Sequence, residues 1–241
     1  MKTLIINLTA PLQSYGNQAT FERRTTNDYP SKSAVVGLLA AALGYRRRDS
    51  RVKALNALQF AVRTDQVGVP LTDFHIVEWK ADTRKITYRG YLQDARFVVA
   101  LGSDDESLIE RLRDALAHPQ FQLFLGRRAN VPAGPLRTEI LDGDPLQVLE
   151  TLDWQAAKWY QKKQSPTVRL SIMADADLLP TTASTLVKDR VESFDQRDRQ
   201  YGFRAVTATV VTKTNPNSRF KSKPESDSAA KPELDFFGGL N

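Results

Sequence analysis

Residues 96–119 read RFVVALGSDDESLIERLRDALAHP, and the fold is decided by how this stretch is parsed. Arg96–Leu101 is a run of aromatic and β-branched residues too apolar for a surface strand, so it reads as a buried one. Ser103 or Asp104 then offers a helix cap. Leu108, Ile109, Leu112 and Leu116 recur three and four residues apart, the stripe of a helix that buries one side. The helix runs to about Ala117, and Pro119 stands where it must stop.

The same alternation extends in both directions. Upstream, Thr3–Leu8 places Leu4, Ile6 and Leu8 on one face, the pattern of a half-buried strand closed by Pro11. A long polar connection, 12–32, holds Tyr15, Phe21 and Tyr29. Ser31-Lys-Ser33 heads a helix over Ala34–Leu43, with Gly44 suited to its C-terminal turn. Asp49 or Ser50 starts a second short helix, and Phe60 and Val62 alternate as a strand. Phe74–Trp79 and Lys85–Leu92, joined by the polar turn Lys80–Arg84, read as a hairpin. Downstream, Phe121–Leu125 reads as a further strand closed by Gly126-Arg-Arg128. The order is β-α-β, a hairpin, then β-α-β, which predicts an α+β, ferredoxin-like (RRM-like) domain over 1–128 with an inserted hairpin at about 74–92. Pro145–Leu152 reads as a helix, and Thr167–Met173 and Phe203–Thr212 as strands of a smaller β-rich part spanning 129–212. Residues 213–241 turn to Lys, Ser, Asn, Pro and Asp, and read as a flexible polar tail with Phe236-Phe237 near its end.

Composition narrows the chemistry. Of 241 residues, 41% are hydrophobic, enough for a core. With no cysteine, disulfides, thiol nucleophiles and cysteine-ligated metals are excluded. Two histidines, His75 and His118, do not make a histidine-rich metal site. No apolar run approaches the ~20 residues of a membrane helix, and Met1–Leu8 is read as the first strand of a cytoplasmic protein. The net charge is +6. Residues 1–65 carry ten Lys and Arg against four acids, and the remainder carries 24 of each sign. A basic excess confined to one quarter of the chain points to a polyanion.

Four places suit such a ligand. Ser31, Lys32 and Ser33 head a helix, where free N–H groups and the dipole attract anions. Gln13, Ser14 and Tyr15 are expected to line a cleft above it. Arg46, Arg47 and Arg48 cluster after the helix. The hairpin interleaves His75, Trp79, Arg84, Lys85, Tyr88, Arg89 and Tyr91, and rings beside cations suit an unpaired strand. Arg127 and Arg128 follow Gly126 at a strand end. Motifs for nucleotide hydrolysis, metalloprotease or serine-hydrolase chemistry are absent from the sequence, and no cofactor is expected. Asp175 and Asp177 read as a turn. A metal-independent ribonuclease using His75 or Tyr88 as its base stays open as the alternative, as does a structural adaptor with only incidental RNA contact.

Five segments in order resemble one family. They are Leu8-Thr-Ala-Pro-Leu-Gln-Ser-Tyr-Gly16, Tyr29-Pro-Ser-Lys-Ser-Ala-Val-Val-Gly-Leu-Leu39, Thr87-Tyr-Arg-Gly-Tyr-Leu-Gln-Asp-Ala95, Leu125-Gly-Arg-Arg128 and Arg197-Asp-Arg-Gln-Tyr-Gly-Phe-Arg204. Over residues 1 to about 212 the chain resembles the CasD family of type I-E CRISPR Cascade subunits, within the RAMP superfamily. The resemblance implies a ferredoxin-like domain with a hairpin thumb that caps the 5′ handle of the crRNA. It further implies packing against the backbone subunit CasC and the large subunit CasA, contact with target DNA through the assembled complex, and no catalytic duty. Arg89 matches the thumb arginine by its place in Tyr88-Arg-Gly-Tyr91, and Arg204 ends the late motif among the implied RNA contacts. A sister subtype whose related subunit cuts precursor RNA keeps the nuclease alternative in view. The glycine-rich loop of many RAMP proteins has no counterpart here, since Gly126, Gly134 and Gly143 are scattered.

Overall fold

The first strand is buried on both faces, so something must cover the side that an alternating pattern leaves to solvent. In the computed structural model, which describes residues 1–16, 22–180 and 182–219, that cover is a helix after residue 144. Phe21 and residues 220–241, including Phe236-Phe237, lie outside the described residues.

In chain order the strands are β1 (Lys2–Thr9), β2 (Leu12–Gln13), β3 (Arg23–Arg24), β4 (Gln59–Gln66), β5 (Val69–Lys80), β6 (Thr83–Gln93), β7 (Arg96–Ser103), β8 (Arg137–Asp142), β9 (Thr167–Asp175), β10 (Thr185–Phe194) and β11 (Arg199–Thr214). The helices are α1 (Lys32–Ala42), α2 (Arg51–Ala54), α3 (Glu106–Ala117), α4 (Pro145–Thr151) and α5 (Lys158–Gln161). One seven-stranded sheet runs β10–β11–β9–β4–β7–β1–β8, and every neighbouring pair is antiparallel. A second, four-stranded sheet is built on β6, which pairs with β2, β3 and β5.

Alternation along the central strands sorts the core into two layers. Leu4, Ile6, Leu8, Phe60, Val62, Phe97, Val99 and Leu101 face α1 and α3. Ile5, Ala61, Val98, Ala100, Ile172 and Ala174 face Leu146, Val148 and Leu149 of α4. That second layer is why β1 is buried throughout rather than on one face. Ser31 caps α1 by accepting from the N–H of Ala34, and Gly44 turns the chain at φ +76° just past the helix. Asp105, one residue beyond the expected caps, accepts from the N–H of Leu108 at the head of α3.

Three element readings are corrected. Phe121–Leu125 is not a strand: the partner of β1 on that side is β8. Leu123 and Leu125 do bury, which mimics strand alternation, but Leu125 is held by Ser14 and Asn130 rather than by a ladder. Strand β10 was hidden because charged residues fill its outward positions while Asp189 and Val191 point in. Residues 213–219, assigned to a tail, are tied down. β11 continues to Thr214, and the buried Asn215 amide donates to the carbonyls of Gln161, Gln164 and Ser165.

Candidate nucleic-acid interface

Strands β5 and β6 form a long ribbon, paired from Val69 with Gln93 to Lys80 with Thr83, and turning at Ala81-Asp82. Register gives the ribbon two faces, because residues opposite each other point the same way. Phe74 pairs with Tyr88 and Ile76 with Ile86 on one face. This face is open: Phe74 is 61% exposed and Ile76 58%, with Trp79 at 62% near the tip. Arg23 stands over the Tyr88 ring at 5.5 Å. The other face carries His75 opposite Thr87 and Asp73 opposite Arg89. The His75 ring lies 2.8 Å from the Asp73 carboxylate. Arg89 keeps its buried Nε without a hydrogen-bond partner among the described residues. His75 and Tyr88 therefore point to opposite sides of the ribbon and do not converge on one bond.

The ribbon is rooted by side chains that the sequence placed in a cleft. Gln13, Ser14 and Tyr15 are buried rather than lining an open site. Gln13 donates from Nε2 to the carbonyl of Ala95 (2.7 Å) and accepts from the Tyr15 hydroxyl (2.6 Å). Tyr15 meets Phe97 edge to face, and burial pushes its phenol well above the ordinary value. Ser14 Oγ donates to the carbonyl of Gly90. Arg127 straps the root: its guanidinium donates to the carbonyls of Gly90 and Arg24 and lies 4.5 Å from the centre of the Tyr91 ring.

The head of α1 holds an anion already, and that anion belongs to the chain. The N–H of Lys32 donates to Asp189, 2.8 Å away. The Lys32 ammonium, expected to add a charge to an open site, is buried against Asp175 at 3.0 Å. Arg204 closes the network, with two hydrogen bonds to Asp189 and one to Asp175. Asp175 also accepts from the N–H of Phe60. Burial holds the Lys32 ammonium below its ordinary value although Asp175 opposes the shift. For Arg204 burial works against the charge, but Asp189 and Asp175 outweigh it and the guanidinium is raised. Lys32 and Arg204 thus spend their charge inside the protein.

A groove of about 580 Å³ runs along the solvent side of α1. Its floor is Ala34, Gly37 and Ala41, its walls are Phe121, Phe124 and Phe194, and Ser33 lies at one end. Arg46, Arg47, Arg128 and Arg199 rim it, and no acidic residue lines it. Arg46 and Arg128 are exposed and make no ion pair among the described residues. Arg47 reaches Gln196, and Arg48 pairs with Asp195 at 2.7 Å.

Residues 3–207 match the family model of the CRISPR-associated protein Cas5. The chain belongs to the Cas5 family. Among its relatives is the Escherichia coli K12 CRISPR system Cascade subunit CasD, 36% identical over 154 residues, with 55% of this chain and 68% of that protein covered. A chain of a CRISPR RNA-guided surveillance complex superposes with a TM-score of 0.71 at 28% identity, covering 93% of this chain and 95% of its own. A crystal structure of a Cas protein gives 0.68 at 33% identity, covering 90% and 97%.

The structure brings Ser33, Arg46, Arg47 and Arg128 to one groove, and His75, Trp79, Tyr88 and Arg89 to one ribbon. It withdraws Gln13, Ser14, Tyr15, Ser31, Lys32 and Arg204 into the interior. Sequence reading missed Phe121 and Phe124 as groove walls, since both fell in the strand read over 121–125, and it missed Phe194 and Arg199, which lie in or beside the unread strand β10. It missed Asp175 and Asp189 as partners of Lys32, because a separation of about 150 residues leaves no local trace.

Proposed function

We propose that this Cas5-family chain is the non-catalytic subunit that holds the 5′ handle of a crRNA in a Cascade surveillance complex, beside the backbone subunit CasC and the large subunit CasA, and meets target DNA through that assembly. The observation that carries this reading is an acid-free groove rimmed by Arg46, Arg47, Arg128 and Arg199, in a molecule that also carries a ribbon with open rings. Arginines grip phosphates, and exposed rings stack on splayed bases. Arg89 adds a buried Nε with no partner among the described residues. The order β4–β7–β1–β8, with α1 and α3 as crossovers, supports a ferredoxin-like RAMP domain, with β5–β6 as its thumb.

Filter binding tests the reading. Handle RNA is expected to bind more tightly than scrambled RNA or duplex DNA, with affinity falling steeply as salt rises. Arg46→Ala with Arg128→Ala is expected to weaken handle binding and lower the salt slope by about two. Equal affinity for all three nucleic acids rejects it. Precursor crRNA incubated with the isolated chain should stay intact, and specific cleavage within the repeat would replace this reading with the nuclease one.

A further inference from the structure

The side of the sheet away from the α1 groove carries a second basic and aromatic surface that the reading above does not use. Near the start of β7, a cleft of about 240 Å³ is lined by Asn7, Thr9, Arg96, Arg137 and Gln155. Register sets Arg137 beside Asn7 and Arg96 beside Thr9. No acidic residue lines the cleft. The Arg96 side chain reaches only the carbonyl of Gln155, at 3.5 Å, and the Arg137 side chain makes no hydrogen bond or ion pair among the described residues. Two guanidiniums beside one cleft, with no carboxylate in its lining and Glu139 the next residue on that face of β8, give the cleft itself a positive field.

Gln155 follows Trp154, and Trp159 and Tyr160 come four and five residues after it. Trp154 is pinned by donating from Nε1 to the carbonyl of Asp65 at 2.7 Å. Its ring meets Tyr160 edge to face, and Tyr160 meets Trp159 likewise, with centroids 6.2 and 5.8 Å apart. The inner ring is fixed, whereas Trp159 is 51% exposed. Lys163 stands over the Trp159 ring at 5.4 Å, and Lys158 and Lys162 are exposed beside it in sequence. At most ~14 Å of backbone separates Gln155 from Trp159.

We infer that this surface, from the Arg96–Arg137 cleft to the open Trp159 ring, is a second binding site, and that its ligand is single-stranded nucleic acid. The arginines and lysines take phosphates. A pre-positioned ring offers a stacking platform at little entropic cost, and only an unpaired strand presents a base face to it. A duplex hides those faces, and an acidic peptide has no use for a bare indole flanked by cations. The site lies on the sheet face opposite the α1 groove, so both can be filled at once.

The test is fluorescence anisotropy of a labelled oligothymidylate, added to the full chain alone or preloaded with one equivalent of unlabelled handle RNA, which fills the handle site and leaves no excess to compete at the second. The oligonucleotide is expected to bind in both conditions. Trp159→Ala should weaken it by ~10-fold or more. Arg96→Ala with Arg137→Ala should lower its salt slope by about two, with handle affinity unchanged in both variants. Lys163→Glu, which leaves the ring in place, should weaken it as well and covers the case in which Trp159→Ala unfolds. Loss of oligonucleotide binding when handle RNA is present overturns the inference, as do variants that bind like wild type. Displacement by polyglutamate with no effect of Trp159→Ala means an acidic protein surface instead, and also overturns it. Handle affinity is read in the same titrations, so failure of the guide-RNA reading shows separately.

Discussion

Tyr15 and Gln13 satisfy each other where both side chains are buried. The phenol donates to the Gln13 amide oxygen, and the amide nitrogen donates to Ala95. Because burial raises the Tyr15 phenol, the folded state keeps its proton after the unfolded chain begins to lose it, near the ordinary value of 10.0. The stability that this group contributes is therefore complete below pH ~10 and is lost as pH rises beyond it. Tyr15→Phe leaves the Gln13 oxygen without a donor and should cost ~1–3 kcal/mol at neutral pH. It should also flatten the alkaline decline. Thermal melts of both proteins at about pH 8 and pH 10.5 check this, and parallel declines would contradict it.

Among the elements, the loop from Gly126 to Asn130 matters more than its irregular shape implies. Gly126 holds φ +92°, and a Cβ there would stand 1.6 Å from the Ser14 carbonyl oxygen. The two backbones cross in contact, and Leu125 accepts from the N–H of Ser14 on the same crossing. Gly126→Ala should cost at least ~3 kcal/mol, or about 10 °C in Tm, and should loosen the ribbon root that Arg127 straps. Gly134→Ala, at φ +132° with nothing within 4 Å of a Cβ, is the control and should lose less. Differential scanning calorimetry of the pair decides it, and equal losses would mean that the crossing is slack. The contrast shows what sequence patterns carry. The α1 cap at Ser31, the helix at 106–117 and the hairpin at about 74–92 are local, written in spacing and turn chemistry, and were legible, although the ribbon's first residues, from Val69, were not. The identity of the strand beside β1 was not. Phe121–Leu125 and β8 both alternate, and only packing against Ser14 decides which one joins the sheet. The groove was half legible: Arg46 and Arg47 stood out as a charge cluster and Arg128 followed Gly126, whereas Phe121 and Phe124 were read into a strand and Arg199 and Phe194 carried no signal of a groove.

At the scale of the molecule, Asp175 joins three parts of the structure. It receives Lys32 from α1, the N–H of Phe60 from β4 and Arg204 from β11. Asp175→Asn removes the carboxylate paired with Lys32 and one of the two paired with Arg204, and breaking a buried network from one side typically costs ~3–5 kcal/mol. Lys32→Met should cost less, because Asp175 keeps Arg204. Urea titrations of the two variants test the ranking, and a milder effect for Asp175→Asn would show that the carboxylate is dispensable. The network also bears on how the chain is made. Lys32 leaves the ribosome more than 140 residues ahead of Asp175, and the anion that occupies the head of α1 follows later still, at Asp189. In a nascent chain that stops short of the end of β9, Lys32 has neither Asp175 nor Asp189 to pair with, so burying its ammonium under the first helix is unfavourable and the side chain is better left in water. Docking of the first helix is thus completed from the C-terminal side of the chain, by residues made long after it.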